Sequence, residues 1–331
     1  MATGSNQADT FNAATFVGLF GTFNFESLLG NDPITGNGNT RISYSQASGS
    51  VSVDLSTGAV SGAAGADVIT GGVNSVQGSN LADTLVGSSN DEYFFGSGGA
   101  DAISAGGGND GITGQGGNDT IDGGAGTDMV IFTGTQSQYT VTTLGPIVVQ
   151  DNTAGRDGID SLTNVEVPQF SDAIVLLSSG ASGSLIDFST QQQISGSASV
   201  IGTAGDDYLC IGSNIFGHQI NLGGRVADTV LLNGSVFGNS YTLNLAGVEN
   251  LVGSNSDEFV NLTNNADGLV VNLGSGNDHL SFVGGTNTLS LVDVEGIAGS
   301  DFCATPGVND VLNLSTTITG WRSASATATT R

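Results

Sequence analysis

Carboxylates recur every nine residues along the middle of this chain, at Asp83, Glu92, Asp101, Asp110, Asp119 and Asp128. The last four each close a six-residue turn: Gly96-Ser97-Gly98-Gly99-Ala100-Asp101, Ala105-Gly106-Gly107-Gly108-Asn109-Asp110, Gly114-Gln115-Gly116-Gly117-Asn118-Asp119 and Gly123-Gly124-Ala125-Gly126-Thr127-Asp128. Glycine crowds the first four places and always holds the fourth. It reaches φ > 0 without the clash that a Cβ would bring, so the turn can aim backbone carbonyls and the sixth-place carboxylate inward. That is oxygen chemistry for a hard cation: calcium takes about 6–8 ligands, mixing carboxylates with carbonyls in flexible geometry. The candidate ligands are Asp83, Glu92, Asp101, Asp110, Asp119 and Asp128, with Gly98, Gly107, Asn109, Gly116 and Asn118 from the turns. Asp67 closes an imperfect turn, Gly62-Ala63-Ala64-Gly65-Ala66-Asp67, and is a further candidate. Its register is broken, because Gly71 to Gln77 is too short for a full nonapeptide.

Each turn leads into a triplet with a large apolar residue at its centre: Leu85, Phe94, Ile103, Ile112, Ile121 and Val130. A flexible glycine-rich linker carries no such period. A solenoid without metal is disfavoured, because stacked aspartates lacking a counter-ion repel one another. Turns and apolar centres together resemble the nonapeptide of the RTX (hemolysin-type) calcium-binding repeat proteins. The resemblance implies an all-β fold, a parallel β-roll in which each nonapeptide makes half a coil and two bring the chain back above itself. Asp83, Asp101 and Asp119 then stack on one edge and Glu92, Asp110 and Asp128 on the other, with stacked turns sharing calcium ions. The triplet centres fill the narrow space between two sheets. Relatives of this kind are exported by a type I machinery that reads an uncleaved C-terminal signal. The resemblance therefore implies extracellular residence, where calcium is plentiful enough for modest sites.

The composition narrows the partners. Among 331 residues there are 31 acidic and 5 basic ones, a net charge of −26, and every basic residue is arginine. Nucleic-acid phosphates need a basic patch that this chain lacks, and anionic membrane surfaces should repel it. Hydrophobic residues make up 38% and fall in short strand-like groups, which argues against disorder of the whole chain when calcium is bound. Without calcium, carboxylate self-repulsion argues for an expanded roll. No apolar run is long enough to span a membrane. Met1 to Thr10 has no basic residue ahead of an apolar core, so no cleaved secretory signal is expected. Ser323 to Arg331 is a Ser/Ala/Thr tail rather than an evident export signal, which leaves a fragment or a chain without its own export element.

In chain order, residues 1–60 read as a β lead-in, with alternation at Val51-Ser52-Val53-Asp54-Leu55. Residues 61–132 are the roll, and 133–180 a β cap whose Asp151, Asp157 and Asp160 suit a solvated turn better than a metal site. The Ser/Gln-rich stretch 181–198 reads as a linker. It opens residues 181–315, a degenerate β-solenoid-like domain with turns such as Gly202-Thr203-Ala204-Gly205-Asp206-Asp207 and Gly253-Ser254-Asn255-Ser256-Asp257-Glu258. These recur about every twenty residues rather than nine; some, such as those of Asp206, Asp207 and Asp278, are candidates to bind an ion. Residues 316–331 read as a flexible tail.

No catalytic constellation emerges. His218 and His279 lie outside nucleophile-elbow and metalloprotease motifs and suit solvent or turn positions. Cys210 suits a small buried filler, and its pairing with Cys303 stays open. The aspartates follow the metal-turn pattern without recourse to acid–base chemistry. The sequence reads as a secreted, noncatalytic calcium-binding protein with a structural, adhesive or surface and matrix role, its partners a cell-surface or matrix polysaccharide or other copies of itself. The alternative is the noncatalytic C-terminal export and folding region of a larger secreted hydrolase or lyase. An enzyme built on the solenoid surface is weaker, because five scattered arginines offer little to an acidic substrate.

Overall fold

The computed structural model describes residues 2–5, 7–14, 22–142, 147–177, 185–187, 199–203, 206–211, 216–223, 227–233, 239–264, 268–282, 288–294, 296–299 and 311–314. Among these the fold is all-β, with one 3-10 turn at Gln136–Gln138. The chain divides into two compact units, Met1–Ser171 and Asp172–Arg331.

In the first unit the apolar triplets become short parallel strands. Thr84–Val86 pairs with Ala102–Ser104, and that strand with Thr120–Asp122, placing Leu85, Ile103 and Ile121 in line. On the opposite sheet Ser75–Gln77, Tyr93–Gly98, Gly111–Gly116 and Met129–Ile131 align Val76, Phe94, Ile112 and Val130. All seven side chains are buried. Each side chain of this size gains about 1.5–3 kcal/mol on burial, so the alternation that puts one centre per triplet inward also supplies the core. The coil returns after eighteen residues, as Leu85 opposite Ile103 and Phe94 opposite Ile112 record.

The same sheets continue on both sides of the roll. Phe23–Glu26 and Thr40–Ser43 precede Ser75–Gln77, and Val51–Asp54 pairs with Thr84–Val86. Beyond the roll, Thr120–Asp122 pairs with Ile159–Thr163 and Met129–Ile131 with Val167–Gln169. An antiparallel excursion, Tyr139–Thr142 and Ile147–Asp151, intervenes in sequence and attaches to Ile159–Thr163. Phe132, Tyr139 and Phe170 pack their rings together where it begins, with centroids 4.9–5.4 Å apart.

The second unit is also a parallel solenoid, on a wider repeat. Leu209, Val230, Leu251, Val271 and Leu291 face one another along one sheet, twenty or twenty-one residues apart. Val260 and Leu280 are opposite one another on the second sheet. Leu185–Asp187, inside the stretch read as a linker, is a strand paired with Tyr208–Ile211. Its Leu185-Ile186 pair outweighs the polar surroundings. Cys303 and residues 316–331 lie outside the described residues.

Candidate metal centres

Each turn carries the chain from one sheet to the other and sets a carboxylate directly beneath its neighbour. In the first column the Asp83 N–H donates to Asp101 Oδ1 at 2.8 Å, that of Asp101 to Asp119 Oδ1 at 2.8 Å, and that of Asp119 to Asp160 Oδ1 at 2.9 Å. In the second, Glu92 N–H donates to Asp110 Oδ1 at 2.8 Å, Asp110 to Asp128 Oδ1 at 2.9 Å, and Asp128 to Glu166 Oε2 at 2.9 Å. One oxygen of each carboxylate is thus spent on the ladder. The other is the informative one. Oδ2 of Asp101, Asp110, Asp119 and Asp128 is buried and has no hydrogen-bond partner. A buried anionic oxygen without a donor costs far more than a paired one, so its presence in four successive turns needs a positive partner.

The second residue of each turn accounts for this. Ser97, Gly106, Gln115 and Gly124 all have positive φ, at 81°, 103°, 65° and 99°, and each turn leaves Oδ2 open. The two preceding turns close over their own carboxylates. Ser79 donates its N–H to Asp83 Oδ2 at 2.6 Å and its hydroxyl to Oδ1 at 2.9 Å, where Val51 N–H also binds at 2.7 Å. Ser88 likewise donates its N–H to Glu92 Oε2 at 2.8 Å and its hydroxyl to Oε1. Asp67 is saturated too, by Asp32 N–H and Ser27 Oγ, each at 2.9 Å, and Tyr44 OH at 3.1 Å. It sits in a separate column with Asp32, whose own Oδ1 accepts the Asp9 N–H at 2.7 Å.

Glycine makes the open turns fit. A Cβ on Gly96, Gly114 or Gly123 would lie 2.3, 2.1 or 2.6 Å from the Oδ2 of Asp101, Asp119 or Asp128. At the fourth place, a Cβ on Gly117 or Gly126 would meet the carbonyl of the turn above at 1.6 or 1.8 Å. Gly98 and Gly107, by contrast, have no neighbour nearer than 3.6 Å to an added Cβ, and Gly116 meets Arg156 O at 3.1 Å. The asparagine side chains join a second ladder: Asn109 Oδ1 accepts Thr127 N–H and Asn118 Oδ1 accepts Ile159 N–H, each at 2.9 Å.

Burial pushes the open carboxyls upward, to about 7 for Asp101, about 8 for Asp110 and about 6 for Asp119 and Asp128. The ladder N–H opposes the rise, and neighbouring carboxylates add to it, Asp128 and Glu92 in the case of Asp110. Among the described residues no three His, Cys, Asp or Glu side chains converge as a metal-ligating group. An ion between two turns would therefore take one or two carboxylates and complete its shell from backbone carbonyls. Buried donor-less oxygens, glycine-lined turns and an all-oxygen ligand set fit calcium.

The sequence places neither Asp160, which reads there as a solvated turn in preference to a metal site, nor Glu166 in the columns. Asp160 and Glu166 end the columns, 41 and 38 residues beyond their neighbours, because the antiparallel excursion intervenes. The signal was Asp157-Gly158-Ile159-Asp160, whose Gly158 bridges to Gly117. The solvated-turn reading of this segment is corrected. Asp151, Asp157 and Asp160 are all buried, Asp151 pairing with Arg156 at 2.6 Å and Asp157 binding Thr133 and the Tyr139 hydroxyl. The histidines belong to strands rather than turns: His218 lies in Phe216–Asn221 and His279 opens His279–Phe282, its ring stacked on Phe259 at 5.0 Å. Cys210 is buried within Tyr208–Ile211.

No curated protein matches the chain. The RTX calcium-binding nonapeptide repeat matches residues 77–112 and 95–130, which cover all four open turns. Residues 77–130 are therefore RTX-type calcium-binding nonapeptide repeats.

Proposed function

We propose that the chain is a secreted, noncatalytic structural protein whose roll is completed by calcium outside the cell. The observation that carries this reading is the set of four buried, donor-less Oδ2 atoms at Asp101, Asp110, Asp119 and Asp128. These four carboxylates, with carbonyls of their turns and of the turns stacked on them, would hold the ions. Bound calcium supplies the positive charge that the columns lack. The remaining work belongs to the chain. The glycines admit the carboxylates into the turns, the N–H ladders fix their orientation, and Leu85, Phe94, Ile103, Ile112, Ile121 and Val130 close the core beneath. A net charge of −26 keeps the calcium-free chain extended and soluble, which suits export before folding. The exposed faces then serve adhesion, matrix assembly or polysaccharide contact.

The test is circular dichroism of the full chain in EDTA, in calcium and in magnesium. Calcium should complete the β signal and magnesium should not, because magnesium demands near-octahedral geometry and dehydrates reluctantly. A β signal already complete in EDTA would sink the reading.

A further inference from the structure

The second unit contains a pair of turns that repeats the roll's turn chemistry on a wider coil. In the roll, Gly87-Ser88-Ser89-Asn90-Asp91-Glu92 stacks on Ala105-Gly106-Gly107-Gly108-Asn109-Asp110. In the second unit, Gly253-Ser254-Asn255-Ser256-Asp257-Glu258 stacks on Leu273-Gly274-Ser275-Gly276-Asn277-Asp278. The correspondence holds bond by bond. Glu92 N–H donates to Asp110 Oδ1 at 2.8 Å, and Glu258 N–H to Asp278 Oδ1 at 2.8 Å. Asn109 N–H donates to Asp91 Oδ1 at 2.8 Å, and Asn277 N–H to Asp257 Oδ1 at 2.9 Å. Gly107 N–H reaches Ser88 O at 3.0 Å, and Ser275 N–H reaches Ser254 O at 3.2 Å. The serine hydroxyl bonds its own glutamate in both pairs.

The glycines correspond as well. Gly106 and Gly274 have φ of 103° and 85°. A Cβ on either would meet the serine carbonyl above, at 2.3 and 2.1 Å. A Cβ on Gly108 or Gly276 would lie 2.5 Å from the carbonyl of Asn90 or Ser256. One difference makes the second pair more in need of a cation. Ser88 satisfies both oxygens of Glu92, whereas Glu258 Oε2 is left without a hydrogen-bond partner in a fully buried side chain. Ser254 holds Oε1, so this carboxylate is folded back over its own turn.

We propose that the turns 253–258 and 273–278 form a further calcium site, held by Glu258, Asp278 and backbone carbonyls, in a stretch that the repeat family does not match. It rests on the reading of the roll as calcium-binding. The ion class follows from the donors, which are all hard oxygens. A twenty-residue coil supports the site because the turn geometry is unchanged; only the strands between turns are longer.

Hydrogen–deuterium exchange of the full chain, in EDTA and in calcium chloride, separates this site from the roll. Calcium should slow exchange about tenfold or more both in peptides covering 77–130 and in peptides covering 250–282. Glu258→Gln should abolish the second effect and leave the first. Calcium protection confined to 77–130 overturns this inference while the roll reading stands, and protection at neither overturns both. Should E258Q not fold, Asp278→Asn, which keeps a carbonyl oxygen for the Glu258 N–H, takes its place. Undiminished calcium protection of 250–282 in the folded variant also overturns the proposal.

Discussion

Replacing Asp110 with Asn should stabilise the roll without calcium and weaken it with calcium. The side-chain carbonyl of Asn can still accept the Glu92 N–H that Asp110 takes at 2.8 Å. What disappears is a carboxyl whose charged form is opposed chiefly by burial and which, held at about 8, must take up a proton at pH 7 to stay in the calcium-free fold. At pH 7 that opposition costs the calcium-free fold on the order of 4 kcal/mol before solvent screening and about 2 kcal/mol after it. D110N should therefore slow exchange of amides in residues 93–131 about 30-fold in EDTA, since ~1.4 kcal/mol is a factor of ten. In calcium the sign reverses, because the variant lacks a ligand between turns stacked above and below. Hydrogen exchange read on these peptides isolates the roll from the second unit. Asp67→Asn is the contrast: both its oxygens already have protein donors, so it should cost about 1–3 kcal/mol in either condition. If D110N lowers protection equally with and without calcium, Asp110 is only a ladder acceptor and the reasoning fails.

Two further outcomes follow from the same geometry. The calcium-free roll should depend on pH in an unusual direction: Asp101, Asp110, Asp119 and Asp128 have folded values raised from 3.8 to between about 6 and about 8, so the native state binds more protons than the unfolded chain across that window. Stability is then present at low pH and lost as pH rises through the folded values, and in EDTA the β signal at pH 5 should exceed that at pH 8, whereas in calcium acid should weaken the fold by protonating ligands; a flat EDTA profile by circular dichroism contradicts this. Gly117→Ala should cost the roll at least 3 kcal/mol in thermal unfolding, because its Cβ would lie 1.6 Å from Gly99 O, while Gly98→Ala, with nothing nearer than 3.6 Å, should cost about 1 kcal/mol or less; equal losses would refute the close-approach argument.

The roll was legible because both of its signals are local. The turn is complete within six residues and repeats every nine, and the apolar centre follows two residues after the carboxylate, so Leu85, Ile103 and Ile121 could be aligned by counting. Asp160 and Glu166 could not, since the antiparallel excursion carries them out of register before the chain returns to the columns. The saturation of Asp67 was hidden for the same reason. Its stacking partner is Asp32, 35 residues earlier, and its other donors come from Ser27 and Tyr44. The second unit kept its turn chemistry but stretched its strands, so the turns of Glu258 and Asp278 could be found at a spacing of about twenty, but not the bond that stacks one on the other. The distinction between open and closed turns was invisible for a deeper reason. Ser79 and Ser97 are the same residue at the same place in the turn, yet only Ser97 has positive φ.

That pair carries the last prediction. Ser97 is followed by Gly98-Gly99 and adopts φ 81°, leaving Asp101 Oδ2 bare. Ser79 is followed by Asn80-Leu81, and its hydroxyl also accepts the Leu81 N–H at 3.1 Å, which anchors the residue in the closed form. Ser79→Gly removes the hydroxyl and with it the 2.9 Å bond to Asp83 Oδ1 and the anchor at Leu81. Glycine also pays no steric penalty for positive φ, so the remaining N–H can swing away from Oδ2. Asp83 would then keep only the Val51 N–H on Oδ1, the arrangement that Asp101 shows with the Asp83 N–H. The variant should lose about 1–3 kcal/mol in EDTA and bind one more calcium ion than the parent chain. Equilibrium dialysis against calcium counts the ions directly. A loss of stability in EDTA with no additional ion would show that the second residue of the turn tunes packing alone, and that Asp101, Asp110, Asp119 and Asp128 owe their bare oxygens to something else.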